Sequence, residues 1–119
     1  MKTKIDQIAE SRIYLAKNIY SNEENIEILT EYIIDNIKNN HGTGGQSINI
    51  DDIYIDNIEN KISFSTDTND NDTIRMCIDD AFYRFFNQIK FNIENMNINE
   101  LYNMTVFNIN NNVSTIILL

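Results

Sequence analysis

Apolar residues in this chain recur at two periods, and the first switch between them falls at its only glycines. Ile5, Ile8, Ala9, Leu15, Ala16 and Ile19 fall at three- and four-residue spacings, as do Ile26, Leu29, Ile33 and Ile37. Those spacings line one face of a helix. The stretch HGTGGQS, residues 41–47, then holds all three glycines. Beyond it the period is two: Ile48 and Ile50, Ile53 and Ile55, then Ile62, Phe64 and Thr66. The spacing predicts helices over 3–19 and from the SNEE stretch to about Asn40, followed by a strand hairpin. Ser21 and Glu24 have the spacing of a capping box for the second helix. The two helices form either an antiparallel hairpin or one long bent helix. The alternation slips by one at Asp51 and Asp52, which predicts a bulge or a turn there.

After a polar loop over 67–73, with Asp72 as a candidate cap, the helical period returns from Thr73 to about Asn95. INEL adds a short turn. The end of the chain, MTVFNINNNVSTIILL, reads as strand, asparagine turn, strand. The expected fold is α+β: N-terminal helices and one long aromatic helix on a small, mostly antiparallel sheet, in a single domain over 1–119.

The bulk numbers exclude whole classes of function. With 119 residues the chain is long enough to bury a core without disulfides or metals. It carries 18 acidic and 9 basic side chains, a net charge of −9. Binding DNA, RNA or an anionic membrane needs a basic footprint, which this chain lacks. The start, MKTKIDQIAES, has no apolar run behind its lysines, and no run is long enough to span a bilayer, so a cytoplasmic protein is expected. Asparagine and isoleucine exceed a third of the residues, a bias typical of AT-rich genomes, so the three glycosylation-type sequons read as chance matches.

Catalytic groups are sparse. His41 is the only histidine and stands in the glycine stretch. Cys77 is the only cysteine, which excludes an internal disulfide, and it falls off the apolar arc of its helix. HGTGG lacks the lysine and spacing of a phosphate-binding loop. Asp51–Asp52 and Asp79–Asp80 read as solvated charge in so acidic a chain. No metal-ligand spacing appears. The reading is a protein that is not an enzyme and needs no cofactor.

What stands out is AFYRFFNQIKFN, five aromatic rings in the twelve residues 81–92. On a helical wheel, Ile74, Ile78, Ala81, Phe82, Phe85, Phe86, Ile89, Ile93 and Met96 share one arc, with Asp80, Arg84, Asn87 and Phe91 opposite. Arg75 lies in line with Phe82 and Ile93, and Asn92 in line with Phe85 and Ile74. The plain explanation is an arginine that reaches out to water and an asparagine bonded to backbone. The sharper one is a face that partly lines a recess. Rings stack on bases, arginine pairs with phosphate, and asparagine matches an adenine edge.

The helix DDAFYRFFNQIKFN, following the short hairpin INIDDIYI in a chain of this length, resembles the phage anti-Thoeris sponge proteins. That resemblance implies an α+β homo-oligomer, at least a dimer, with recessed pockets between subunits. It implies binding, without cleavage, of the cyclic ADP-ribose isomers that TIR-domain enzymes make as an alarm signal, inside an infected bacterial host. Cyclic oligonucleotides at a second site are a further implication. By that resemblance Phe82 and Asn92 contact ligand. Arg75 is added from the wheel, and Arg84, which points the other way, serves a second surface or another subunit. The net charge of −9 disfavours an anionic ligand at long range, but charges beyond ~8 Å are screened at physiological salt. The competing reading is an acidic protein-binding inhibitor that mimics nucleic acid and blocks a nuclease or a similar enzyme.

Overall fold

The computed structural model describes residues 1–40, 45, 47–107, 109 and 112–118. His41, Gly42, Thr43 and Gly44, and Asn108, Asn110 and Asn111 of the expected asparagine turn, lie outside these residues. The elements run α1 (Lys4–Asn18), α2 (Glu23–Lys38), β1 (Ile50–Asp56), β2 (Lys61–Thr66), α3 (Asn71–Gln88), a 3-10 helix (Ile98–Leu101), β3 (Asn103–Phe107) and β4 (Val113–Ile117). The strands form one antiparallel sheet in the order β1-β2-β4-β3. The fold is α+β, as the two periods require.

The sheet has one buried face. Ile62 and Phe64 of β2, with Ser114 and Ile116 of β4, alternate inward, and residues between them face outward. The inward residues join Ile26, Leu29, Ile33 and Ile37 of α2 and the apolar arc of α3 in one core. The expected slip is a bulge between Asp51 and Tyr54, with Asp52 in the left-handed region at φ 53°. An extra residue there bends the β1 edge and keeps the alternation in phase on both sides.

Capping differs from the sequence reading in two helices. Asn22, not Ser21, caps α2: its side chain accepts from the Glu24 N–H at 2.9 Å. Ser21 instead donates to the Lys17 carbonyl at 2.8 Å, satisfying an acceptor at the end of α1. Asp70, not Asp72, caps α3, accepting from the Thr73 N–H at 3.1 Å and the Thr73 hydroxyl at 2.6 Å. Asp and Asn reach the free N–H groups of a first turn as readily as serine does, so neighbouring polar residues compete for the cap.

The two N-terminal helices are neither a hairpin nor one bent helix. α2 packs along α3, whereas α1 rests on the 3-10 helix. Leu15 is the one residue of α1 that is buried, and Ile5, expected on its core face, is 78% exposed. Polar contacts hold α1 in place. The Arg12 Nε–H donates to the Glu100 carbonyl at 2.7 Å, and Lys4 pairs with the Glu100 carboxylate at 3.2 Å. The same carboxylate accepts the Asn97 N–H at 3.0 Å, which ties the attachment point to the start of the 3-10 helix.

So thinly buried a helix depends on its charge-assisted bond. Arg12→Ala is expected to lower global stability by about 1–2 kcal/mol. In the wild type, α1 amides should exchange faster than those of α3, and the variant should strip most of the protection that remains in α1. Equal protection of the two helices in the wild type would show that α1 is not a separately attached element.

Candidate functional site

The five rings of the 82–91 segment do not form one ligand face. Three of them take part in a column that runs from the core to the surface. Tyr102 stacks on Phe82, with centroids 4.1 Å apart and planes 5° from parallel. Phe82 meets Phe86 edge-on at 5.8 Å, Phe86 meets Phe91 at 5.3 Å, and Phe91 stacks on Tyr14 at 5.9 Å and 18°. Phe85 joins from the side, against Phe86. Phe82, Phe86 and Tyr102 are buried, Phe91 is half-buried, and Tyr14 is 49% exposed. Aromatic pairs in these geometries add ~0.5–1.5 kcal/mol each beyond the area they bury.

The outer end of the column is set by how α3 stops. The helix ends at Gln88, not near Asn95 as its period suggested. The Phe91 N–H reaches back to the Phe86 carbonyl at 2.9 Å, and the Lys90 N–H to the Asn87 carbonyl at 3.2 Å. With Lys90 left-handed at φ 58°, this is the Schellman closure, and the Phe86–Phe91 contact is the apolar pair that accompanies it. The reversal carries Phe91 off the polar side of the wheel and lays it against α1.

Beside it lies a recess of about 260 Å³ between α1 and the end of α3. Glu10, Ser11 and Tyr14 line it from α1, with Ile19 just beyond that helix, and Ile89, Lys90 and Phe91 close the other side. The Glu10 carboxylate is paired with Lys2 at 2.8 Å, and among the described residues Lys90 has no ion pair. The recess is therefore lined by two rings, the hydroxyl-bearing Ser11 and Tyr14, the paired Glu10 and a lysine with no ion pair among the described residues. That donor set suits a ring bearing a negative group. Its volume falls just under the ~300 Å³ at which drug-sized sites begin, so one chain holds a ring and its neighbour rather than a whole dinucleotide.

The four residues singled out from sequence do not come together. Phe82 is fully buried, and one face of its ring is occupied by Tyr102. A ligand stacking on that face has to displace Tyr102. Asn92 is not on the helix at all: it is exposed in the segment after it, where its Oδ1 accepts the Glu94 N–H at 3.0 Å. It stands next in sequence to Phe91 but is not among the residues that line the recess. Arg75 is exposed on the first turns of α3, as the plain explanation has it. Arg84 is a staple between helices. Its Nη1 donates to Asp35 at 3.0 Å and to the Asn36 side-chain oxygen at 2.7 Å, and its guanidinium lies 4.4 Å from the Tyr32 ring centre.

Tyr14, Lys90 and Phe91 were not legible as a group. Phe91 left one signal, an aromatic residue on the polar side of a wheel, which marks the place where the helix has already ended. The seam between α2 and α3 also corrects the reading of Cys77. It is buried, its thiol donates to the Asn36 carbonyl at 3.7 Å, and the Asn36 amide donates back to the Cys77 carbonyl at 3.0 Å. Burial, with Asp80 nearby, pushes the thiol pKa up, the opposite of what a nucleophile needs.

A second polar group sits deeper. The Tyr102 hydroxyl bonds to Asp79, and Tyr20 buries its hydroxyl without a partner among the described residues. Burial raises both phenol pKa values, and Asp79 adds to the effect at Tyr102. Among the described residues no group of His, Cys, Asp or Glu could hold a metal ion, and no helix is long and apolar enough to cross a membrane. Compared with family models, with curated proteins and with solved structures, the chain matches none.

Two outcomes follow from this placement. Phe82→Ala removes the ring at the base of the column, and is expected to cost about 3–5 kcal/mol in urea unfolding. A loss under 1 kcal/mol would mean the Tyr102 stack carries little. In the second, both buried phenols keep their protons to higher pH than in the unfolded chain, where tyrosine titrates near 10. Above pH 10 the unfolded state therefore binds fewer protons, and stability falls as pH rises, by about 1.4 kcal/mol per unit for each tyrosine. Tyr20→Phe should lessen that slope. It should also hold or raise stability at pH 7, since a buried unpaired hydroxyl costs ~1–3 kcal/mol. Clear destabilisation at pH 7 would reveal a partner for that hydroxyl.

Proposed function

We propose that this chain is a non-catalytic binding protein that sequesters a small nucleotide-like signal. The observation that supports this reading is the recess at the end of the aromatic column, lined by the stacked rings Tyr14 and Phe91 and by Lys90, which makes no ion pair among the described residues. A sponge needs stacking surface, a few polar groups and charge neutralisation, and no activated base or nucleophile. The buried, raised thiol of Cys77 fits such a protein.

The resemblance to the anti-Thoeris sponges names the ligand: a cyclic ADP-ribose isomer made by a TIR-domain enzyme in an infected bacterial cytoplasm. The ligand is held without cleavage, so that the downstream effector stays inactive. On this reading the active form is a homo-oligomer, at least a dimer. A single recess is too small to enclose such a ligand, and nanomolar binding, about −12 kcal/mol, needs a largely closed site. The sheet offers a means of association. The β1 edge is kinked by its bulge and carries Asp51, Asp52 and Asp56, whereas edge strand β3, NMTVF, has no charged residue. Charges and bulges are what normally keep an edge from pairing. Contacts to cyclic oligonucleotides at a second site belong to the same proposal.

The acidic-inhibitor reading keeps one observation in its favour. Glu23, Glu27, Glu31 and Asp35 are exposed at four-residue steps along α2, about 6 Å apart in rise. Asp35 is shared with Arg84, and the other three carboxylates of that row make no ion pair among the described residues. A mimic binds a basic partner with steep salt dependence, and loses it on Glu27→Lys with Glu31→Lys.

The deciding experiment is capture and release. The protein is incubated with the small-molecule product of a TIR-domain enzyme, washed, heat-denatured, and the released material identified by mass spectrometry. The expected result is recovery of the intact cyclic nucleotide. A signal that stays in the wash sinks the sponge, and a converted product makes this protein an enzyme.

A further inference from the structure

Helix closures of the kind that ends α3 favour glycine at the left-handed position, because any side chain there is strained. Asn and Asp are the usual substitutes, since their short polar groups bond to nearby backbone. The other described non-glycine residues with positive φ obey that rule: Asp52, Asn60 and Asn95. Lys90, at φ 58°, is the exception. A lysine gains nothing from that backbone conformation. Its ammonium makes no ion pair among the described residues, and the residue lines the recess beside Tyr14 and Phe91. Strain held at one residue of a recess is the pattern expected where the side chain is kept for binding.

We propose that Lys90 is the anion-binding residue of the recess, and that the recess takes the phosphate-bearing end of a nucleotide, with an aromatic ring against Tyr14 or Phe91. The geometry divides the labour. The Schellman closure fixes where the Lys90 backbone leaves the helix, the Phe86–Phe91 contact anchors the turn, and the lysine lines the recess with no ion pair among the described residues. Glu10, which lines the same recess, is paired with Lys2 and not with Lys90. The inference rests on the recess being the ligand site of the proposed sponge, and it adds the residue and the chemical feature that it recognises.

The test uses adenosine 5′-diphosphate as the probe and adenosine as the uncharged control, by calorimetric titration of the full chain, with thermal unfolding of each variant. The wild type is expected to bind the diphosphate at least tenfold more tightly than adenosine, with affinity falling as salt rises. Lys90→Gly should unfold at the same or a higher temperature, because glycine relieves the left-handed strain, yet bind the diphosphate at least tenfold more weakly. Lys90→Gln keeps the strain and removes the charge, and should lose the same affinity and most of the salt dependence, while Lys90→Arg retains both. Unchanged diphosphate affinity in Lys90→Gly and Lys90→Gln overturns the assignment, and so does failure of the wild type to bind the probe. The capture experiment on the same variants separates the two proposals. A wild type and a Lys90→Gly variant that both retain the cyclic signal leave the sponge standing and remove Lys90 from it. A Lys90-dependent diphosphate site in a protein that retains no cyclic signal leaves the site standing and removes the sponge.

Discussion

The face-to-face contact between Phe82 and Tyr102 joins the two halves of the molecule. Phe82 comes from the middle of α3 and Tyr102 from the junction of the 3-10 helix and β3, so this one pair connects the long helix to the second half of the sheet. Both rings are buried, and the Tyr102 hydroxyl bonds back to Asp79 on α3. A buried phenol usually finds such a partner, as Tyr102 does and Tyr20, among the described residues, does not. Once that pair is set, Phe86 follows one turn along, then Phe91 after the helix reverses, then Tyr14 on α1. The surface recess is the far end of a packing arrangement that starts in the core.

That dependence accounts for the uneven attachment of the helices. α2 and α3 share an apolar seam reinforced by Arg84, by Asn36 and by the Cys77 backbone, whereas α1 is held through Glu100 and by the Tyr14–Phe91 stack. The least buried helix thus supplies one wall of the recess. Sites that accept ligands are commonly built where local stability is low, because such walls adjust at small cost. The net charge of −9 acts on this site only weakly. Screening beyond ~8 Å leaves nearby groups to decide, and the charged residues that line the recess are Lys90 and Glu10, the latter paired with Lys2.

Much of the fold was legible in the sequence because period is a backbone property. The switch from three- and four-residue spacing to alternation gave the helices and the strands, and the one-residue slip at Asp51 and Asp52 gave the bulge. The buried apolar residues of α2 and the inward residues of β2 are those the periods named, with Thr30 buried in addition. Caps were less legible. Ser21, Asn22, Asp70 and Asp72 are chemically equivalent choices, and a shift of one or two residues costs little.

The sequence by itself determined the α+β class, the helix and strand periods, the acidic balance and the scarcity of catalytic groups. It also determined that residues 82–91 would be crowded with rings. Which side of those rings a ligand could reach was decided by tertiary structure alone. A wheel extended past Gln88 assumes a helix that continues, and the left-handed turn at Lys90 broke that assumption. The turn took Asn92 off the helix, brought Phe91 from the polar side to the wall of a recess, and met it with Tyr14 from a helix some seventy-five residues earlier. No local pattern contains that meeting, because it joins a backbone reversal to a contact distant in sequence. Only the packed core fixes both.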